Sequence, residues 1–199
     1  SQENKLDKFP LNLNWNYCNN FTEGYKVKYP FDWEKISANE QIIFWKKDDQ
    51  NGQVSFARVY PNSAVVIVAV DKNPQKLSLQ KYLDLIEYGQ GSNKNVITLN
   101  GLPYASIFLE QSGLQDSYFE MPSGEILIIY GQTGDGVLSQ QLKEQIRYII
   151  GSVRVSKNDD GSGQNCLTNN DVVTGNALTS GDTGASTVET ITADILKLV

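Results

Sequence analysis

Ala64-Val65-Val66-Ile67-Val68-Ala69-Val70 is the stretch that decides the fold class of this chain. Every side chain in it is apolar, whereas a strand with one face in water alternates between apolar and polar residues. It is also far shorter than the ~20 residues that cross a bilayer as a helix. We therefore expect a central β-strand that is covered on both faces.

Two amphipathic helices are predicted downstream of this strand. Ser78 is a good N-cap for the first, which we expect to end near Gly89, and Gly151 closes the second. In both, apolar residues recur at the three- and four-residue spacing of one helix face. These stripes are Leu79, Tyr82, Leu83 and Ile86 in the first helix and Leu138, Leu142, Ile146, Ile149 and Ile150 in the second.

Turn sequences separate the remaining apolar segments. Asn100-Gly101, Pro122-Ser123-Gly124 and Asp48-Asp49-Gln50-Asn51-Gly52 each lie between strand-like runs, as in β-hairpins. Val153 and Val155 indicate a last short strand. Because hairpins pair antiparallel strands, we predict an α+β fold, a mostly antiparallel sheet of about seven strands packed with two helices.

Composition divides the chain into three parts. Residues 1–22 are polar and rich in asparagine, and we assign them to an N-terminal arm. Residues 23–155 carry all of the periodic apolar pattern and form the predicted domain. Residues 156–199 begin with a stretch rich in Gly, Ser, Thr, Asn and Asp, which is typical of a linker. We assign this last part to a polar linker and C-terminal arm.

The overall charge bears on possible partners. With 199 residues, 40% of them hydrophobic, the chain is large enough for one domain with a proper core. Its net charge of −6 and pI of about 4.7 disfavour binding to nucleic acid. No apolar run is long enough for a transmembrane segment. We therefore expect other protein subunits as partners, and association with a membrane only through them or through a removed N-terminal signal.

The chain contains no histidine. This excludes His-based catalytic triads and haem ligation by histidine, along with most zinc and copper sites. Its two cysteines are too few for a structural zinc site. We expect no metal and no cofactor.

A resemblance to a known family rests on Glu23-Gly24-Tyr25-Lys26-Val27-Lys28-Tyr29-Pro30-Phe31-Asp32-Trp33-Glu34. A glycine, a strand and then Tyr-Pro-x-x-Trp resemble the opening of PsbP-like domains. Later segments keep the family's order, including Asn100-Gly101-Leu102-Pro103-Tyr104 before a long strand and Ile149-Ile150-Gly151-Ser152-Val153 at the close, with Val153 where the family has an aromatic residue. The resemblance covers residues 23–155 and is closest to secreted prokaryotic members of unknown role.

The resemblance implies an antiparallel sheet sandwiched by helices, an α/β/α arrangement. The family includes photosystem II extrinsic subunits and a Ran-binding import factor, and it shares no catalytic site. It therefore implies no catalytic, cofactor-binding or metal-binding residue here. We interpret Tyr29, Pro30 and Trp33 as structural, with Trp33 filling the core beside the first strand.

Cys18 and Cys166 are predicted to form a disulfide. They are the only two cysteines and flank the predicted domain, whose ends are expected to meet. The alternative is two free thiols in a cytosolic protein. A disulfide requires an oxidising compartment, in which Asn20-Phe21-Thr22 would offer Asn20 as a candidate glycosylation site. The start at Ser1 fits either a removed signal peptide or a trimmed expression product. We expect an extracytoplasmic location.

Candidate chemistry is sparse. Three carboxylates, Glu110, Asp116 and Glu120, lie near a hairpin, but a glycosidase needs two that face each other across a cleft. The acidic segments 48–52 and 158–162 lack the calcium-loop pattern, and 131–136 lacks the lysine of a phosphate loop. We interpret all three segments as ordinary loops.

These observations favour a protein that is not an enzyme. The first hypothesis is an extracytoplasmic interaction module, an accessory or assembly subunit of a cell-surface or membrane-associated complex. The alternatives are a photosystem-associated extrinsic subunit in a lumen and a carboxylate-based hydrolase.

Overall fold

The computed structural model describes residues 14–38, 41–46, 59–86, 94–109, 114–156 and 164–166. The described strands are β1 (Trp15–Asn20), β2 (Tyr25–Pro30), β3 (Glu34–Ala38), β4 (Gln41–Lys46), β5 (Ala64–Asp71), β6 (Ile97–Leu99), β7 (Leu102–Leu109), β8 (Leu114–Glu120), β9 (Ile126–Thr133), β10 (Arg154–Val155) and β11 (Gln164–Asn165). The described helices are α1 (Leu79–Leu85) and α2 (Ser139–Gly151).

The larger sheet has seven strands in the order β3-β4-β5-β9-β8-β7-β6, and every neighbouring pair is antiparallel. β5 lies inside it between β4 and β9, as its apolar run predicts. Its side chains divide between two separate clusters, Val66 and Val68 in one and Val65 and Ile67 in the other. The predicted α+β class with a mostly antiparallel sheet is confirmed.

A smaller sheet in the order β10-β2-β1-β11 was not predicted as a separate layer. β1 pairs antiparallel with β2 along its whole length, from Trp15 opposite Pro30 to Asn20 opposite Tyr25, and parallel with β11. β1 falls within the segment 1–22 that composition assigns to an arm. The described part of this segment therefore contributes a strand to the fold. The division of the whole chain into three parts stays a prediction.

The two helices lie on opposite faces of the larger sheet. Ile126 and Ile128 of β9 pack in one cluster with Leu79 and Leu83 of α1. Leu127 and Ile129, which point the other way because side chains alternate along a strand, pack with α2 and the smaller sheet. β9 is therefore covered on both faces, which accounts for its continuous apolar run. On β5, Val65 and Ile67 pack instead with Ile43 and Trp45 of β4.

The ends of α1 differ from the prediction. Ser78 occupies the N-cap position but makes no capping hydrogen bond with its side chain. The backbone N–H of Leu79 instead donates to Oε2 of Glu120 at 2.8 Å. The helix ends at Leu85, short of Gly89, and Nζ of Lys94 donates to two carbonyl oxygens there, those of Leu83 at 2.9 Å and Ile86 at 2.7 Å. A carboxylate and an ammonium from other segments therefore complete the two ends of this short helix.

The residues predicted to be structural are buried. Trp33 is 3% exposed and belongs to the larger core cluster, together with Tyr29. The ring of Tyr29 stacks on that of Phe44 with centroids 4.6 Å apart. Pro30 is buried at the end of β2.

Cys18 and Cys166 form a disulfide, as predicted, with Cα atoms 5.0 Å apart. Hydrogen bonds also hold the backbone next to the disulfide in place. The N–H of Cys166 donates to the carbonyl of Asn19 at 2.8 Å, and Oγ of Ser37 donates to the carbonyl of Cys166 at 2.6 Å. Because Ser37 lies on β3, these bonds join the edge of the larger sheet to the edge of the smaller one.

Candidate functional site

The outer face of the smaller sheet carries a group of cations. Along β2, Tyr25, Val27 and Tyr29 are buried in the core. Lys26 and Lys28 alternate with them and therefore point outward. The local pattern of one half-buried strand thus places two ammonium groups on one surface.

Strand register adds two further side chains to this surface. Arg154 of β10 lies directly opposite Lys26, and Tyr17 of β1 lies directly opposite Lys28. Nζ of Lys28 stands 4.9 Å from the centre of the Tyr17 ring, which is within the range of a cation–π contact. The Tyr17 side chain is 45% exposed.

These side chains line a groove of about 250 Å³, whose lining residues are Tyr17, Lys26, Val27, Lys28, Ser152 and Arg154. We call it the cationic groove. A concave surface with several convergent polar groups is the usual form of a binding site.

Hydrogen bonds hold the groove in shape from beneath. Oγ of Ser152 accepts the N–H of Lys28 at 2.8 Å and donates to the carbonyl of Ile149 at 2.6 Å. Nη1 of Arg154 donates to the carbonyls of Gly151 at 2.9 Å and Val153 at 2.8 Å. These bonds connect both side chains to the end of α2, so the guanidinium group is positioned rather than extended into solvent.

The charge of the groove contrasts with that of the chain. Three cations lie together on a protein whose net charge is −6. Lys26 and Arg154 face each other across two paired strands. A positive concave patch on an acidic protein focuses its field on approaching anions.

Of the three carboxylates considered for hydrolysis, the described two do not form a catalytic pair. Glu120 accepts the N–H of Leu79, as described above. Asp116 is buried on the same strand, four residues away. At ~3.3 Å per residue their Cα atoms are about 13 Å apart, beyond the ~5–9.5 Å between the carboxyl groups of glycosidases. Glu110 lies outside the described residues.

Burial raises the pKa of the Asp116 carboxyl to about 7. Asp116 faces Tyr130 of β9 in the sheet register. Burial also raises the pKa of Tyr130 and of Tyr118, and the nearby Asp116 charge adds to the effect on Tyr130. The carboxyl is therefore enclosed among tyrosines on the α1 side of the sheet, away from the cationic groove.

The segment 131–136 is only partly a loop. Gly131 and Thr133 belong to β9 and are buried, whereas Asp135 and Gly136 are exposed. A Cβ atom on Gly131 would lie 2.5 Å from Cγ2 of Ile146, so glycine is needed there for α2 to pack on the sheet. Gly131 therefore serves the packing of α2 on the sheet. Segments 48–52 and 158–162 lie outside the described residues.

Asn20 is buried rather than displayed, with 1% of its surface exposed. Its Nδ2 donates to the hydroxyl of Tyr25 at 3.3 Å, and its Oδ1 accepts the N–H of Glu23 at 3.1 Å. A glycan attached to Nδ2 would have to break this hydrogen bond and displace Tyr25 to reach solvent. The geometry argues against the use of the sequon in the folded protein and assigns Asn20 to the turn between β1 and β2.

Sequence reasoning missed the cationic groove. The alternation of Lys26 and Lys28 with buried residues was a visible signal for an outward-facing pair. The contributions of Tyr17 and Arg154 were not visible, because they depend on pairings with strands before and after β2.

Groups able to hold a metal are absent from the described part of the chain, where no three His, Cys, Asp or Glu side chains come together. Among the same residues, no helix is long and apolar enough to cross a membrane.

Fold and groove together define an α+β domain with a cationic surface on its smaller sheet. No family model and no curated protein matches the sequence. Among solved structures, cyanobacterial PsbP (CyanoP) from Synechocystis is similar at 12% identity and a TM-score of 0.42, covering 72% of this chain and 93% of that one. A protein from Bacteroides thetaiotaomicron is similar at 8% identity and a TM-score of 0.38, covering 67% of this chain and 45% of that one. Likeness at this level carries no argument about function.

Proposed function

We propose that this chain is a non-enzymatic interaction module that works outside the cytoplasm, as an accessory or assembly subunit of a cell-surface or membrane-associated complex. The observation that carries the proposal is the cationic groove on the outer face of the smaller sheet. The groove is concave, positively charged and held in shape by hydrogen bonds to α2.

The composition of the groove supports a protein partner. Tyrosine and arginine are the side chains enriched in protein interfaces and in their energetically important centres. Here Tyr17 and Arg154 flank two lysines on one surface.

The roles of the acidic side chains support a non-catalytic protein. Asp71 accepts the hydroxyl of Tyr82 at 2.7 Å and the N–H of Asn73 at 2.7 Å. Glu120 accepts the N–H of Leu79, and Asp116 is buried within the sheet. These groups support the fold, which disfavours the hydrolase alternative.

The disulfide supports the extracytoplasmic location. Structural disulfides persist in oxidising compartments and are rare in the cytosol. Cys18–Cys166 also closes the smaller sheet at its β1–β11 edge. No described contact favours the photosystem-associated alternative over other assemblies, and the partner identified by the experiment below distinguishes them.

The test is site-specific photo-cross-linking in the cells that make the protein. A benzophenone amino acid at Tyr17 is expected to cross-link to one discrete partner polypeptide, whereas the same group at Lys81, exposed on α1, is not. The double change Lys26→Glu and Lys28→Glu is expected to abolish the Tyr17 product without changing the circular dichroism spectrum. Equal labelling at both positions, or labelling that survives charge reversal, would contradict the proposal.

A further inference from the structure

The hairpin of β6 and β7 leaves one side of β6 open. β6 is the last strand of the larger sheet, and among the described strands only β7 pairs with it. The turn residues Asn100 and Gly101 have φ angles of 56° and 81°, as in a two-residue type I′ hairpin. Such a turn makes Leu99 and Leu102, which face each other, the first hydrogen-bonded pair of the ladder.

The backbone of Thr98 therefore points away from β7. Hydrogen-bonded and non-hydrogen-bonded pairs alternate in an antiparallel ladder, so Thr98 and Pro103 form a non-hydrogen-bonded pair. The N–H and C=O of Thr98 lie on the outer side of β6, where this residue is exposed. A donor and an acceptor on the same residue match those of one residue on a further antiparallel strand.

Two apolar side chains are exposed near this edge. Ile97 of β6 is 54% exposed, and Leu85, the last residue of α1, is 69% exposed. Lys94, three residues before β6, holds the end of α1 close to this strand through its bonds to the carbonyls of Leu83 and Ile86. An exposed edge strand with apolar neighbours is a template for pairing with another chain.

We propose that β6 pairs antiparallel with β6 of a second copy of this chain, so that the two larger sheets join into one continuous sheet. The twofold axis passes between the two Thr98 residues, which exchange both N–H···O=C bonds. Ile97 of each copy then lies opposite Leu99 of the other, and this contact covers its exposed surface. The interface is separate from the cationic groove and does not depend on the proposed function.

A second copy fits this edge because the edge is self-complementary. Thr98 supplies both the donor and the acceptor, so twofold symmetry satisfies these groups in both copies with one segment. The opposite edge of the larger sheet, β3, is joined to the smaller sheet by the hydrogen bond from Ser37 to the Cys166 carbonyl. Pairing at β6 alone gives a closed dimer rather than a fibre.

The charge of the chain sets how this dimer responds to salt. Each copy carries a net charge of −6, and like net charges oppose association. Salt screens this repulsion, whereas it has little effect on backbone hydrogen bonds and apolar contacts. The dimer is therefore expected to strengthen as the salt concentration rises.

Sedimentation velocity of the full, oxidised chain tests the inference at protein concentrations from ~10 μM to ~1 mM. The wild type is expected to form dimers, and more of them in about 0.5 M than in about 0.05 M sodium chloride. Thr98→Pro removes the outward N–H from both copies but no bond to β7, and is expected to weaken dimerisation by roughly 10- to 100-fold. Thr98→Ala keeps the N–H and is the matched control, expected to dimerise like the wild type. Circular dichroism checks that both variants fold.

Two further measurements do not require the proline variant to fold. Ile97→Ser changes an exposed side chain and is expected to weaken dimerisation by roughly 3- to 10-fold. Hydrogen exchange followed by NMR reports on the Thr98 N–H directly. Its protection is expected to rise with protein concentration, whereas the Leu99 N–H, bonded to β7, is expected to be protected at every concentration.

Several results would overturn the inference. A monomer at all concentrations and at both salt concentrations would contradict it, and so would a dimer in which the Thr98 N–H gains no protection. A dimer that Lys26→Glu and Lys28→Glu dissociate but Thr98→Pro does not would locate the interface at the cationic groove instead. Protection of the Thr98 N–H that appears only when another protein is added would identify a different occupant of this edge.

Discussion

The indole Nε1–H of Trp33 donates a hydrogen bond to Oε1 of Gln145 at 3.0 Å, across 112 positions of sequence. Both side chains are buried, with 3% and 4% of their surfaces exposed. The bond joins the turn after β2 to the inner face of α2. It satisfies the single polar atom of a large core side chain and one buried amide oxygen.

Truncating Trp33 is expected to be severe. Trp33→Ala should lower the free energy of unfolding by about 3–5 kcal/mol, because it removes a large buried side chain and leaves a cavity. Gln145→Ala should cost less, about 1–3 kcal/mol, since its main effect is to leave the indole N–H without its acceptor. Urea denaturation followed by circular dichroism measures both. A Trp33→Ala variant as stable as the wild type would contradict the position of this residue in the core.

Reduction of the disulfide is expected to destabilise the fold. The bridge closes a loop with a sequence separation of 148, for which the chain-entropy model gives a stabilisation of about 4–5 kcal/mol before strain. The double variant Cys18→Ser and Cys166→Ser should show a loss of this order in urea denaturation. Intact mass after alkylation, with and without reductant, checks the bridge itself. Two thiols that can be alkylated in the native, unreduced protein would contradict it.

Asp116 is expected to make stability depend on pH. Its pKa is about 7 in the folded protein, above the ordinary value. Between about pH 4 and pH 7 the folded state therefore binds more protons than the unfolded state, and stability falls as pH rises. The fall is at most about 1.4 kcal/mol per pH unit and ends above pH ~7. Among the described residues, Tyr118, Tyr130, Tyr82 and Asp71 are further titratable groups in this region.

Asp116→Asn isolates this effect. The amide has nearly the same shape as the protonated carboxyl, so stability near pH 4 should change little. At about pH 8 the variant should be more stable than the wild type, because no charge is buried. Thermal denaturation at a series of pH values measures both profiles. Parallel profiles for the two proteins would show that Asp116 does not titrate as its burial implies.

Glu120 is expected to stabilise α1 through the N–H of Leu79. Glu120→Gln keeps an acceptor but removes the negative charge, and should cost about 0.3–1 kcal/mol. Glu120→Ala also removes the acceptor and should cost about 1–2 kcal/mol. Glu144→Gln, at an exposed position on α2, serves as the control. Hydrogen exchange of the α1 amides reports the effect locally, and no difference between the Glu120 and Glu144 variants would contradict this role.

The local patterns predicted much of the fold because each depends on residues only a few positions apart. The apolar run of β5, most of the stripes of α1 and α2 and the Asn100-Gly101 turn are present in the structure. Ile86 and Leu138 instead lie just outside the helices, and Leu138 is 40% exposed. Asn100 and Gly101 have φ angles of 56° and 81°, as their turn requires. The two cysteines could be paired because the chain offers one combination.

What the sequence by itself determined is therefore the central strand β5, the apolar faces of the two helices, the Asn100-Gly101 turn and the disulfide. The tertiary structure alone decided that β1 joins β2, that Glu120 replaces the Ser78 side chain at the start of α1, and that Tyr17 and Arg154 meet two lysines on one surface. The physical reason is the separation along the chain of the residues that decide each feature. Helix stripes and strand alternation follow from the geometry of neighbouring residues, whereas strand partners and the cationic groove depend on contacts between distant segments that only the folded chain brings together.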